Sequence, residues 1–243
     1  MTDFSRYNES QRRYFEQRPK PRMVPRRSSY LERHVDELVR FARLTDKDEV
    51  LEVGAGMGRY TIPLLERGYN VEALDLSSVL LERLAQYNTE HDPGRPAPPS
   101  HAADIADPPA ELRRRFDAAI GFFTLHHLHD LEACFRGIRL VLRPGGRVVF
   151  LEPNPLNPLF YVQIVVTPGM TWSGDGGIVR MRPKTVFGAL SSAGFARFRL
   201  ERFGFFPPFL AEAPLGARVE RRLERIGALR SLLPFQLFAA EAP

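Results

Sequence analysis

Short apolar runs alternate with amphipathic stretches along most of this chain. Residues 49–54 carry Val50, Leu51 and Val53 in a near-continuous apolar run, the pattern of a strand buried on both faces. A helix over about 58–67 follows and is stopped by Gly68. A second strand covers 70–75, and Ser77 or Ser78 opens a helix to about Asn88. A short third strand ends near Asp104 and a fourth spans 117–122. Asp130 caps a helix to about Leu142, after which P-G-G turns into a fifth strand, 146–152. Pro183 suits the first turn of a helix reaching Ala193. The alternation F-A-R-F-R-L-E-R-F then marks a sixth strand, separated from a last one, F-Q-L-F-A-A, by a helix at about 215–228. Ahead of all this, residues 1–28 read as a polar, proline-rich arm with one short helix around Gln11–Gln17. Ser28 or Ser29 then caps a helix through Arg43, with Leu31, Val35, Leu38, Val39 and Ala42 as its apolar stripe. Alternating β and α elements predict an α/β fold built on a doubly wound sheet.

The chemistry concentrates where the first strand ends. Gly54, Gly56 and Gly58 let the backbone turn tightly and approach a ligand where a Cβ would collide. About twenty residues on, the second strand ends in Asp75, placed to accept hydrogen bonds from ribose hydroxyls. The pairing predicts an adenosine-containing cofactor. A dinucleotide fingerprint would place its third glycine where this chain has Arg59, and Glu52 sits just before the turn. A carboxylate there repels a diphosphate and attracts an ammonium group, which disfavours a nicotinamide-dependent reductase.

With H-A-A-D-I-A-D around Asp104, F-D-A-A-I-G-F-F-T-L-H-H-L-H-D at 116–130 and L-R-P-G-G-R-V-V-F-L-E-P at 142–153, the order and spacing resemble the class I S-adenosylmethionine-dependent methyltransferases, small-molecule branch, across roughly residues 45–200. The resemblance implies a Rossmann-like, mostly parallel seven-stranded sheet of order 3-2-1-4-5-7-6 with strand seven antiparallel. It implies S-adenosyl-L-methionine as cofactor and S-adenosyl-L-homocysteine as product. Gly54, Ala55 and Gly56 would face the methionine part, with Glu52 near its amino group. Asp75 would hold the ribose and Leu76 would pack on the adenine. Asp104 would take the adenine amino group beside Ile105, and Phe122 would lie along the sulfonium. It further implies a methyltransferase domain over 46–243, preceded by an arm and cap helix over 1–45.

Two stretches exceed the minimal fold, about 153–182 and 205–233, and have the make-up of a lid over an acceptor. Glu152, Asn154, Trp172, Phe205 and Phe206 are the expected acceptor-pocket residues. Phe203 and Phe209 belong to the same aromatic group, which could line a cavity or seat the next helix. A hydroxyl or carbon acid needs its proton removed by a group titrating near neutrality. His126 is the first choice and His127 the second, against a role in shaping the turn. Adjacent histidines are poorly disposed to share a metal, so none is expected. O-methylation of a small apolar or aromatic acceptor is favoured over C- or N-methylation. A lipid or quinone-like acceptor at a membrane surface is the alternative, and a non-catalytic S-adenosylmethionine-binding sensor or scaffold is the rival from another class.

Composition changes this picture little. The chain has 243 residues, a formal charge of +5 and a pI near 9.6. Of its 34 basic side chains only Lys20, Lys47 and Lys184 are lysines, a ratio that suggests coding bias rather than a phosphate-binding stripe. Several arginines alternate with glutamates at helical spacing, where ion pairing is their ordinary role. No nucleic acid partner is expected. The basic arm leaves peripheral membrane contact open, while no apolar run is long enough to span a bilayer. A polar N-terminus and a lone Cys134, read as a small core residue, predict a cytoplasmic monomer or homodimer.

Overall fold

A computed structural model describes residues 3–17, 23–158, 160–162, 176–204 and 214–243. Trp172, Phe205, Phe206 and Phe209 lie outside them, as does much of the first insertion and the start of the second.

Seven strands form one sheet: β1 Glu49–Val53, β2 Asn70–Asp75, β3 Ser100–Ala102, β4 Phe116–Phe122, β5 Leu142–Pro153, β6 Ala196–Phe203 and β7 Phe235–Glu241. Their order is β3-β2-β1-β4-β5-β7-β6, as the resemblance implied. The first five strands pair in parallel, with Val53 opposite Leu74 and Val50 opposite Ala118. β7 runs antiparallel to both β5 and β6. The helices are α1 Asp3–Gln17, α2 Ser29–Ala42, α3 Thr61–Glu66, α4 Ser78–His91, α5 Leu131–Val141, α6 Pro183–Ser192 and α7 Pro214–Leu223.

The period of two along each strand sorts side chains between two cores. Leu51, Val53, Phe116, Ala119 and Phe150 pack with α5 and α6 on one face. Val50, Ala118, Ile120, Val149 and Leu237 pack with α2 on the other. A strand buried on both sides therefore needs an apolar residue at nearly every position, as β1 and β4 have.

Helix starts follow the sequence. The Ser28 hydroxyl accepts from Leu31 N at 3.1 Å, Ser77 from Leu80 N at 3.2 Å, and the Asp130 carboxylate from Ala133 N at 2.9 Å. Other boundaries differ from expectation for local reasons. α3 starts at Thr61 rather than 58, because the glycine turn extends further along the chain. β5 begins at Leu142, its pairing with β4 shifting register across the P-G-G turn. α1 is a full helix from Asp3, longer than the short one expected. The helix expected at about 215–228 stops at Leu223, and a 3-10 segment, Gly227–Leu232, leads into β7.

Candidate functional site

The carboxyl ends of β1, β2, β4 and β5 open into one cavity of about 340 Å3, the edge where open α/β sheets bind ligands. At its β1–β2 end the glycine turn forms the floor. Gly56 adopts φ +55, and its N–H donates to Asp75 Oδ2 at 2.9 Å. Ser77 N donates to Asp75 Oδ1 at 3.0 Å, so the turn and the start of α4 together aim this carboxylate. Burial raises its proton affinity despite those donors. Below the turn, Glu52 is buried and accepts from Thr61 Oγ1 at 2.7 Å. Burial pushes its carboxyl up to about 8, and the Asp75 charge adds to the effect. Among the described residues a Cβ added at Gly56 would meet no atom within 4 Å, whereas one at Gly54 would overlap Thr124.

Glu52, Gly54, Ala55, Gly56, Asp75, Leu76, Asp104, Ile105, Phe122, His126 and His127 all line this cavity. Ile105 and Phe122 are buried apolar surfaces, and Phe122 stacks on Tyr60 with ring centroids 4.1 Å apart and planes 6° from parallel. Asp104 accepts from Ala106 N at 2.9 Å and from Asn8 Nδ2 of α1 at 2.6 Å. Ser77 Oγ donates to Glu16, also on α1, at 2.6 Å. The arm thus lies across the β2–β3 side of the crevice. Its Tyr7 ring packs 4.8 Å from His129 and Phe15 packs 4.9 Å from His127.

After β4, residues 125–127 form one 3-10 turn. Glu152 organises it from the end of β5. Its Oε1 accepts from Thr124 N at 2.7 Å and Leu125 N at 2.6 Å, while Oε2 lies 2.6 Å from His126 Nδ1. Glu152 is fully buried, and burial pushes its carboxyl up to about 8 against the pull of these donors. The 2.6 Å contact places a hydrogen-bonding proton between Glu152 Oε2 and His126 Nδ1. From the other side, the Arg180 guanidinium donates to the Leu128 and His129 carbonyls at 2.9 Å and to the His126 carbonyl at 3.3 Å.

Two expected acceptor contacts are placed elsewhere. The Glu152 side chain is committed to the β4 turn. Asn154 Nδ2 donates to the Ser231 and Leu233 carbonyls at 2.8 Å, joining β5 to the approach of β7. Neither belongs to the cavity lining, because Pro153 alternates out towards it while its neighbours turn inward. Sequence reasoning passed over other lining residues: Asn8 from the arm, His34 from α2, Arg59, Tyr60, Phe123 and Phe235. His34 was visible as a polar residue three positions after Leu31 and four before Leu38, on their face of α2; Arg180 carried no local signal. Cys134 is buried at the cavity wall with its thiol pushed up to about 12, which suits a packing residue. Among the described residues, no group of three His, Cys, Asp or Glu is placed to hold a metal ion.

A parallel sheet with an antiparallel seventh strand, a glycine turn and a carboxylate at the tip of β2 define a class of protein. The chain matches the methyltransferase domain model over residues 24–195, and it belongs to that family, the class I S-adenosylmethionine-dependent methyltransferases. It is 31% identical over 157 residues to the hybrid PKS-NRPS synthetase buaA of Petromyces alliaceus, covering 61% of this chain and 4% of that one. It is 27% identical over 137 residues to the juvenile hormone acid O-methyltransferase of Drosophila melanogaster, covering 54% and 45%. The chain thus spans less than half the length of these curated relatives. Among solved structures, geranyl diphosphate C-methyltransferase from Streptomyces coelicolor superposes with a TM-score of 0.62 at 14% identity, covering 98% of each chain, a likeness of fold.

Proposed function

We propose that this domain transfers a methyl group from S-adenosyl-L-methionine to a hydroxyl or carboxyl oxygen of a small, apolar or aromatic acceptor. The observation that carries the reading is the meeting of Asp75, the glycine turn and His126, held from behind by Glu152, in one cavity. The donor set suits the cofactor. Glu52, a buried carboxyl largely protonated without ligand, ionises to face an ammonium group, and Asp75 retains lone pairs for ribose hydroxyls. Asp104 offers a carboxylate to an exocyclic amine, between Ile105 and Leu76 as apolar faces. When bound, the sulfonium supplies an activated methyl and a neutral thioether leaving group.

The protein's own part is alignment, exclusion of water and proton handling. Phe122, stacked on Tyr60, presents an apolar wall beside the turn. Glu152 fixes His126 through Nδ1; with Glu152 ionised that nitrogen carries the ring proton, and Nε2 is the atom that takes a proton from an acceptor hydroxyl. The imidazolium formed there is stabilised by the carboxylate behind it. The O-methyltransferase among the relatives favours oxygen over carbon, although the acid named there would need no base.

Calorimetric titration with S-adenosylhomocysteine, followed by turnover measurement, tests both halves. Asp75→Ala is expected to weaken cofactor binding by about 1–3 kcal/mol, because ribose hydroxyls lose their acceptor. His126→Ala is expected to cut turnover about a hundredfold with cofactor affinity intact. Unchanged binding in the first variant removes Asp75 from the ribose role. Full activity in the second returns His126 to a structural one.

A further inference from the structure

The cavity changes character from one end to the other. Towards β7 its wall is aromatic, built from Tyr30 and His34 of α2 with Tyr60, Phe123 and Phe235. The His34 ring lies 4.6 Å from both Tyr30 and Phe235 and 5.3 Å from Phe123. Phe123 enters this group with φ +56, a left-handed conformation that a bulky residue adopts only where the surroundings enforce it. Packing alone would be met by an apolar residue at position 34. Instead an imidazole sits there, 2% exposed, with no hydrogen-bond partner at Nε2 among the described residues.

The hydrogen atoms can be assigned from the neighbours. Arg59 is the charged neighbour of the Tyr60 hydroxyl, and a guanidinium offers no acceptor. His34 Nδ1 lies 3.1 Å from the same hydroxyl. If Tyr60 O–H donates to Nδ1, one buried group is left unmatched, the Nε2–H. The opposite tautomer leaves two, the Tyr60 proton and the Nε2 lone pair. The first arrangement costs less, so the missing partner is an acceptor atom. Burial, with Arg59 and Arg33 nearby, lowers the imidazole to about 3 and keeps it neutral. Arg59 also stands over the Tyr60 ring at 5.5 Å, which sets a positive charge against any cationic ligand in this cage.

We propose that this aromatic end of the cavity is an acceptor subsite, in which His34 Nε2 donates a hydrogen bond to an oxygen of an uncharged, planar acceptor. The inference rests on the methyl-transfer reading of the same cavity and adds the chemical class of what is methylated. A planar ring system lies in the cavity along the wall these packed aromatic side chains make, and its oxygen supplies the partner that Nε2 lacks. An acceptor of the same shape without oxygen leaves the donor buried and unmatched, and is rejected for that reason.

The test uses the protein saturated with S-adenosylhomocysteine and three probes: naphthalene, 2-naphthol and 2-methoxynaphthalene. The last can accept a hydrogen bond but not donate one. Both oxygenated probes are expected to bind about tenfold more tightly than naphthalene, the worth of one buried hydrogen bond. His34→Gln, which keeps an N–H near the position of Nε2, is expected to retain the preference. His34→Asn, which keeps only the contact to Tyr60, is expected to lose it while cofactor affinity stays unchanged. The wild-type His34 Nε2 nitrogen resonance should shift with the oxygenated probes alone, a readout needing no variant. Equal binding of all three probes, no saturable binding of any, or a preference surviving in His34→Asn would overturn the subsite. Failure of S-adenosylhomocysteine to bind would instead strike the methyl-transfer reading itself.

Discussion

Glu52 shows how much one buried carboxyl can report. Burial raises it from an ordinary 4.5 to about 8, so at pH 7 the protein without ligand holds this group largely protonated. An ammonium nearby favours the carboxylate, so binding S-adenosylhomocysteine should expel part of a proton. Affinity is expected to rise as pH climbs from about 6 to 8, and calorimetry at pH 7 in buffers of different ionisation enthalpy measures the release directly. Glu52→Gln should bind without it. Zero net release from the wild type would place the ammonium elsewhere. The same shift bears on folding: its contribution to stability is present below about 4.5 and is lost as pH rises through about 8. At this scale the sequence was legible where a residue's neighbours along the chain determine its surroundings. Gly56 and Asp75 belong to that group. Glu152 and Asn154 do not, since their partners stand 26 to 28 and 77 to 79 positions away.

Among the elements, the turn after β4 depends most on distant support. Glu152 holds it from below and Arg180 from outside, while Gly177 lies against the His126 carbonyl, where an added Cβ would overlap the oxygen. Gly177→Ala should therefore push the turn inward and misplace the imidazole. Turnover is expected to fall at least tenfold with cofactor affinity little changed, because β1 and β2 are untouched. Steady-state kinetics beside calorimetry would separate the two, and normal turnover would show the turn to be compliant. Element boundaries could be read wherever a cap residue announces them, as Ser28, Ser77 and Asp130 do. They could not be read in α1. Its Tyr7 and Phe15 pack on His129 and His127 while Asn8 and Glu16 bond Asp104 and Ser77, all partners far along the chain that no local pattern names.

For the molecule as a whole, the strand order puts the Asp75 carboxylate on β2 and the aromatic cage beside β7 at opposite ends of one opening. The family resemblance carried that order; periodicity alone supplied seven strands and no sequence of neighbours. Nor could periodicity bring His34, Tyr60, Phe123 and Phe235 together, since their proximity exists only once the sheet is assembled. A ligand that bridges several strands should stabilise the entire fold. At a hundredfold excess over its dissociation constant, S-adenosylhomocysteine is expected to add about 2.7 kcal/mol and raise the melting temperature by about 5–10 °C. NADH under the same conditions should leave it unchanged. A larger shift with NADH than with S-adenosylhomocysteine would overturn the cofactor assignment.

The arm fastens to Asp104 and Ser77 at two points along the β2–β3 side of the opening. Under the proposed function the nucleoside lies on that side, and opening it there means undoing both latches. Catalytic cycles would then be paced by the gatekeeping of a single N-terminal helix, and substitutions far from the methyl group could set how long spent product lingers.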